Sequence, residues 1–194
     1  MRSKPLLPLL LAAGLAGGLL ANHDAAARLR YVTDADAPRA LAAAGPVDVR
    51  WDDPANFAEI RYSSNRIESR RGDWVEQLAR HVRDYAAPRL PAGERLEVTL
   101  TDVDLAGDYE PWRGPQFLDT RFLRDIYPPR ISLQFTRTDA NGTVIAQGER
   151  KLRDPGYLIG TSLVSNDPLK YEERMLERWL ARELPAPARS VSTR

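Results

Sequence analysis

The chain of 194 residues contains no cysteine, which excludes disulfide bonds, thiol nucleophiles and thiolate metal sites together. Its 28 basic and 27 acidic residues nearly cancel, so the net charge of +1 gives no support to nonspecific binding of nucleic acid or anionic membranes. The length is sufficient for one domain with a sizeable hydrophobic core.

The first 27 residues have the three parts of a Sec-type signal peptide. Arg2 and Lys4 form the positive start, residues 5–21 form the apolar stretch, and Ala25 to Ala27 supply small residues for cleavage. An uncleaved membrane anchor is the rival interpretation, but the prolines, the glycines and the short apolar length argue against it. We therefore predict cleavage after Ala27, export to the periplasm and no integral membrane span in the processed protein.

The remainder divides by composition. Residues 28–45 are rich in Ala, Asp and Arg without a sustained period, which predicts a flexible leader, and residues 185–194 predict a disordered tail. Between them, residues 46–184 are predicted to form a single domain.

Hydrophobic periods within this domain predict two helices and several strands. Alternation predicts a strand near Val47 to Trp51, and the following residues are predicted to turn at Pro54 and run extended through Tyr62. A wide apolar face from Trp74 predicts a helix over 73–87, opened by Asp73. Alternation from Leu96 predicts the second strand.

A hairpin and a last helix complete the predicted fold. The Asn141-Gly142 pair favours a type I′ turn, which would place Phe135 opposite Gly148. Asp167 and Pro168 favour a helix over 168–183. We predict an α+β fold: a single, mostly antiparallel sheet of about four strands with two helices packed on one face.

The segment after the second strand, "TDVDLAGDYEPWRGPQF" at 101–117, breaks the alternation. Strict alternation would point Asp102 and Asp104 into the core, where unpaired carboxylates are very costly. Either the strand bulges near Thr101, or the two aspartates are held by arginines and backbone N–H groups beneath the loop. The nearby candidates are Arg113, Arg121, Arg124 and Arg130. We predict a loop braced by Asp–Arg pairs.

A metal-binding site is the more specific alternative for the same segment. "DVDLAGD" partly matches an EF-hand loop, but Arg113 stands where the bidentate glutamate is required. A looser oxygen site from Asp102, Asp104 and Asp108 stays open, and with it a carboxylate-based or metal-dependent hydrolase. His81, at the margin of the first helix's apolar face, fits a boundary core residue better than a general base, and no nucleophile elbow is present. No metal or other cofactor is predicted.

Aromatic and charged residues of this loop could instead form a ligand or partner surface, or they could seal the end of the sheet. The candidate surface residues are Asp102, Asp104, Asp108, Tyr109, Glu110, Trp112, Arg113, Arg124 and Tyr127. They lie in or beside a 105–130 loop, and a second ordered loop is predicted over 153–167 with Tyr157 and Leu158 anchored on the core.

Several separated blocks of the chain resemble one family. They are "VRWDDPANFAEIR", "TLTDVDLAGDYEPW", "RDIYPPRISLQF", "KLRDPGYL" and "NDPLKYEERMLERW". In this order, over residues 46–184, the chain resembles the exported bacterial proteins grouped as domain of unknown function 3016, although Gly160 to Ser165 has no clear counterpart. The resemblance implies export and a single domain, and it implies no activity, ligand or catalytic residue.

Two functional hypotheses follow. The first is a nonenzymatic binding or accessory module of the cell envelope, which uses the 105–130 and 153–167 loops to bind an envelope protein or a small ligand. The second is the hydrolase built on Asp102, Asp104 and Asp108. Convergence of these carboxylates on an open pocket would favour the hydrolase, whereas arginine pairing under a closed loop would favour the binding module.

Overall fold

The computed structural model describes residues 30–159 and 166–184. The predicted signal peptide, the predicted tail and the stretch from Gly160 to Ser165 lie outside these residues. The main sheet contains four strands in the order β1 (Val47–Trp51), β2 (Arg95–Asp104), β5 (Arg130–Thr138) and β6 (Val144–Arg153). Strand β1 runs parallel to β2 and the other pairs are antiparallel, which confirms the predicted sheet.

Two short strands and four α-helices complete the fold of the described residues. A small second sheet pairs β3 (Asp108–Tyr109) with β4 (Arg121–Phe122). The helices are α1 (Ala58–Arg61), α2 (Arg66–Arg70), α3 (Trp74–Ala86) and α4 (Lys170–Glu183). Helix α3 contacts β1 and α4, and α4 contacts β6, so the two long helices cover one face of the main sheet. Among the described residues, no helix is both long and apolar enough to cross a membrane.

The core lies between this sheet face and the two long helices. Alternate residues of β1, β2 and β5 are buried, and the apolar stripes of α3 and α4 pack onto them. Leu78 and Leu176, from the two helices, are completely buried with Leu133 of the sheet nearly so. The α+β class therefore arises from the two hydrophobic periods in the sequence, each of which buries one side of its element.

The hairpin between β5 and β6 has the predicted register but a different turn. Phe135 lies opposite Gly148, as predicted. A type I′ turn would need a positive φ at Asn141, and Gly142 alone has one there, at +82°. The chain instead turns over Asp139–Gly142 with a register shift before Thr138, and the Asp139 carboxylate accepts hydrogen bonds from the Asn141 and Thr143 N–H groups, both at 2.8 Å. The shift absorbs the extra turn residue and preserves the register beyond it.

The segment predicted to run extended after Pro54 is helical instead. A short 3₁₀ turn covers Pro54–Asn56, and α1 follows directly. The Asp53 carboxylate accepts a hydrogen bond from the Ala55 N–H at 3.1 Å, and Phe57 is buried at the junction. The cap that Asp53 provides for the 3₁₀ turn and the burial of Phe57 therefore outweigh the weak alternation of this short stretch.

The first described residues are packed, which corrects the prediction of a flexible leader for this part. Val32 is buried in the core, and Tyr31 pairs with Arg71 in an isolated antiparallel bridge. Further along, the Leu41 N–H donates to the Val49 carbonyl at 2.9 Å. The segment thus covers the edge of β1, whose backbone groups would otherwise lack partners on that side.

Candidate functional site

A bulge in β2 resolves the broken alternation. The pairing of β2 with β5 shifts between Leu100 and Asp102, so Val103 turns into the core and is completely buried. The Asp102 carboxylate accepts a hydrogen bond from the Ala58 N–H at 2.7 Å and thereby holds the start of α1. The bulge near Thr101, the first alternative predicted from the sequence, is therefore present. The second alternative was that arginines and backbone N–H groups hold the aspartates, and the contact of Asp102 with the Ala58 N–H belongs to it.

The three aspartates do not converge on one point. The Asp104 carboxylate lies 3.7 Å from the Arg130 guanidinium, and Asp108 accepts a hydrogen bond from the Ser64 hydroxyl at 3.4 Å. Burial raises the pKa of Asp104, Arg130 opposes the shift, and the Asp102 and Asp108 carboxylates add to it. Among the described residues, no three His, Asp or Glu side chains are placed to bind one metal ion. The arrangement therefore lacks the convergence that a hydrolase of this type needs.

A buried ion pair that the sequence did not reveal holds the backbone after β2. Glu59 of α1 pairs with Arg121 of β4, and its other oxygen accepts a hydrogen bond from the Leu105 N–H at 3.0 Å. Arg121 donates to the Gly107 carbonyl at 2.9 Å and lies over the Tyr109 ring at 4.8 Å. Burial raises the pKa of Glu59, and the charge of Arg121 opposes that rise. The predicted partner of Arg121 was an aspartate, so this pairing is a correction.

A second buried glutamate binds the next residue of the same backbone. Glu172 of α4 accepts a hydrogen bond from the Ala106 N–H at 2.6 Å. Its other oxygen, Oε2, is buried without a hydrogen-bond partner among the described residues. Burial raises the pKa of this carboxyl to about 7. Residues 105 and 106 are thus held between two acids that come from different helices.

A third buried glutamate fixes the turn that follows β3. Glu110 is completely buried and accepts hydrogen bonds from Arg113, from Arg124 at 2.8 Å and from the Tyr127 hydroxyl at 3.2 Å. The bonds from Arg113 and Arg124 lower the pKa of Glu110, so the carboxylate is held charged. The prediction of a loop braced by arginine pairs is therefore right in kind, but the acid that carries the bracing is a glutamate.

The predicted surface residues separate into buried braces and exposed side chains. Tyr109 and Glu110 are buried, which corrects their prediction as surface residues, because their side chains are used inside the loop. Trp112 is 67% exposed, whereas Phe117 packs edge-on against Phe122 with their ring centres 5.9 Å apart. The aromatic residues therefore differ in exposure: Tyr109 is buried inside the loop, whereas Trp112 faces solvent, and a ligand or partner surface at Trp112 stays a prediction.

Exposed apolar side chains in the same loops were missed by the sequence reasoning, which weighed charged and aromatic residues only. They are Leu118, Leu123, Ile126 and Ile159, and Leu158, which was predicted to anchor on the core, is exposed beside them in sequence. Their signal was present in the sequence, since each is a large aliphatic residue in a segment with neither a helical nor a strand period.

The described part of the second predicted loop is anchored to the first. Tyr157 is buried, its hydroxyl donates to the Arg124 carbonyl at 2.8 Å, and its ring packs edge-on against Tyr171. Arg174 of α4 donates to the Tyr157 carbonyl at 2.7 Å. Leu158 and Ile159 therefore follow an anchored residue beside the first loop. The predicted anchoring of Tyr157 is confirmed, but that of Leu158 is wrong, because Leu158 is 41% exposed.

His81 lies at the contact between the two long helices, away from these loops. Its ring nitrogens are 3.4 Å from a Glu173 oxygen and 3.1 Å from a Glu177 oxygen. This position agrees with the prediction of a boundary residue of the core.

Comparison with known proteins gives one family. The model of the family described as "Protein of unknown function (DUF3016)" matches residues 45–182, which is more than half of the chain. No curated protein and no solved structure gives a significant match.

Proposed function

The chain belongs to the DUF3016 family, a family of proteins of unknown function, and we propose from its N-terminal sequence that it is exported and from the site that it is a nonenzymatic binding or accessory module of the cell envelope. Its binding surface comprises the exposed apolar residues of the 105–130 loop and of the 153–167 loop. We call the described part of this surface, residues 112–126 with Leu158 and Ile159, the apolar loop surface.

The observation that carries the proposal is a rigid backbone under exposed apolar side chains. Trp112 is 67%, Ile126 59% and Ile159 83% exposed. Exposure of this kind in a flexible loop would be unremarkable, but here the backbone between Trp112 and Ile126 is held by Glu110 through Arg113 and Arg124. Large apolar residues that a fold holds in water at defined positions are candidates for an interaction surface, and aromatic residues dominate the energetics of such surfaces.

The shape and chemistry of this surface favour a protein partner over a small ligand. Small-molecule sites are concave and cover most of the ligand, whereas Trp112 and Ile126 stand more than half exposed on the outside of a loop. An exposed tryptophan flanked by arginine is typical of the residues that anchor protein interfaces. We infer that the partner is an envelope protein with an apolar recess that accepts Trp112.

The placement of the acids supports a nonenzymatic role. Asp102 holds α1, Asp104 faces Arg130, and Glu110 is paired with two arginines. Each carboxylate has a structural partner, which is the arrangement expected of a binding module.

Site-specific photocrosslinking in intact cells tests the proposal. A photoreactive amino acid at position 112 should give a discrete crosslinked product, and the same amino acid at Lys151, an exposed residue of β6, should not. In a chain that carries the photoreactive amino acid at position 112, the additional substitution Ile126→Ser should reduce the amount of crosslinked product at least fivefold, because it removes apolar area from the same surface. Equal products from positions 112 and 151, or a product that is unaffected by Ile126→Ser, would contradict the proposal.

A further inference from the structure

A groove lined by arginines lies outside the apolar loop surface. It has a volume of about 650 Å³ and is formed by the first described segment together with α1 and α2. Its lining residues are Thr33, Ala55, Ile60, Arg61, Tyr62, Arg66 and Arg70. Three of these seven side chains are cationic and none is acidic, in a chain whose total charge is close to zero.

The three guanidinium groups have no acidic partner in the part of the chain that the structure describes: none lies within the 4.0 Å that defines a salt bridge. Arg66 donates to the Arg61 carbonyl at 3.1 Å, and Arg70 donates to the Arg66 carbonyl at 2.9 Å. Arg61 lies over the Tyr62 ring at 5.2 Å. These contacts position the side chains, but they leave the positive charges unneutralised and several N–H groups of each guanidinium free for a ligand.

Arg71, the next arginine in the sequence, differs from these three in having an acidic partner. Arg71, which follows α2 directly, pairs with Glu68 at 2.6 Å and is not a lining residue of the groove. Three like charges around one groove repel one another, and a bound anion would remove that repulsion. The local excess of positive charge therefore favours a ligand with more than one negative charge.

We propose that this groove binds a phosphate-bearing ligand. A phosphate group carries up to two negative charges on three acceptor oxygens, so it can accept hydrogen bonds from more than one guanidinium at once. The groove is of the size of small-molecule sites, and Ile60 and Tyr62 offer an apolar wall for the organic part of the ligand. The phosphate group could belong to a free phosphorylated molecule or to a lipid headgroup.

The proposed phosphate site does not rest on the apolar loop surface, so a result that contradicts one of the two proposals leaves the other unaffected. Trp112→Ala should leave phosphate binding unchanged, and loss of the arginines should leave crosslinking at position 112 unchanged.

Isothermal titration of the processed protein with inorganic pyrophosphate, at fixed low ionic strength, tests the groove. The double variant Arg61→Gln/Arg66→Gln should bind at least tenfold more weakly than the wild type. The control Arg50→Gln/Arg95→Gln removes the same charge from arginines that pair with Glu97 and Asp48, and it should change the Kd less than twofold. If the double variant fails to fold, Arg61→Gln alone is the second variant, because its guanidinium makes no hydrogen bond to a described residue.

Sedimentation with lipid vesicles distinguishes the two sources of phosphate. Binding to vesicles that contain phosphatidic acid, but not to vesicles of phosphatidylcholine alone, identifies a lipid headgroup if it is lost in Arg61→Gln/Arg66→Gln. Binding of pyrophosphate without binding to either vesicle identifies a free phosphorylated ligand. Binding to neither probe, or equal losses in the groove variant and its control, would overturn the proposal.

Discussion

Two aspartates that are separated by one residue have opposite energetic roles at the end of β2. Asp102 satisfies the N–H group at the start of α1. Asp104 faces Arg130 at 3.7 Å, but burial raises its pKa and the carboxylates of Asp102 and Asp108 add to the rise. The residue type is the same in both cases. Partner and burial therefore decide which of the two stabilises the fold.

The first prediction compares these two residues. Asp102→Ala removes the acceptor of the Ala58 N–H and should lower the free energy of unfolding by about 1–3 kcal/mol. Asp104→Asn should leave it unchanged or raise it by less than about 1 kcal/mol, because the raised pKa of Asp104 means that its charge is unfavourable in the fold, and solvent screening keeps the effect small. Urea denaturation at pH 7 measures both, and a larger loss for Asp104→Asn would contradict this assignment of roles.

The second prediction concerns the pH dependence that Glu172 causes. Its pKa is about 7 in the folded protein against an ordinary value of 4.5, so the folded state binds its proton more tightly. Its contribution to stability is therefore complete below about pH 4.5 and is lost as the pH rises to about 7, by roughly 3 kcal/mol at most.

Glu172→Gln should flatten this decline: the variant should equal the wild type near pH 4.5 and be the more stable protein at pH 8. Urea denaturation at the two pH values measures the difference, with Glu97→Gln as the control, because Glu97 is largely exposed on the open face of the sheet. An unchanged slope in Glu172→Gln would show that another group causes the dependence.

The sequence contains a signal for Glu172 but not for Glu59. Glu172 precedes Leu176 by four positions and Trp179 by seven, so helical spacing places it on the apolar stripe of α4. Glu59 lies in a helix of four residues, too short to show a period, and its partner Arg121 is 62 residues away. Contacts at that separation form only in the folded chain, and one sequence gives no local indication of them.

At the scale of elements, the predictions succeed where an element buries one side over several periods. Strands β2 and β5 and helix α3 are long enough to show their periods, and their predicted inward residues are buried. The predicted type of the turn between β5 and β6 was wrong, because Asn141-Gly142 is compatible with more than one turn type. The bulge that distinguishes these types depends on how β5 pairs with β6, which the local sequence does not specify. Helix α1 was missed because its four residues are too few to show a period, and its first N–H group donates to Asp102, which is 44 residues away in sequence.

The third prediction tests the inward face of the sheet and of α4. Leu133→Ala and Leu176→Ala should each lower the free energy of unfolding by about 2–5 kcal/mol, because each removes buried methyl groups and leaves a cavity. Val144→Ala, at an exposed position of β6, should cost less than about 0.5 kcal/mol and serves as the control. Chemical denaturation measures all three, and losses at both leucines as small as that of the control would mean that the core lies elsewhere.

At the scale of the whole molecule, Asn65 is one of the residues that connect the two proposed binding surfaces. Asn65 accepts hydrogen bonds from the Ile67 and Glu68 N–H groups at the start of α2, both at 3.2 Å, and donates to the Leu118 carbonyl at 2.8 Å. The helix that supplies Arg66 and Arg70 is therefore attached directly to the loop that supplies Leu118. Both surfaces lie in the irregular segments, while the long helices and the main sheet supply the stable support beneath them.

The last prediction concerns processing of the full chain. The charged start, the apolar stretch and the small residues at 25–27 predict cleavage after Ala27, so the exported protein should begin at Arg28. Such a chain retains every described contact of the first segment, including the Arg30 carbonyl that accepts from the Gly72 N–H at 2.7 Å and the buried Val32. Intact-mass measurement of protein from the periplasm of its native host checks the start. Ala27→Arg should block processing, because the cleavage site requires a small residue, and it should leave the longer chain in the membrane fraction. A wild-type chain that keeps Met1 and stays in that fraction would show that the segment is an anchor.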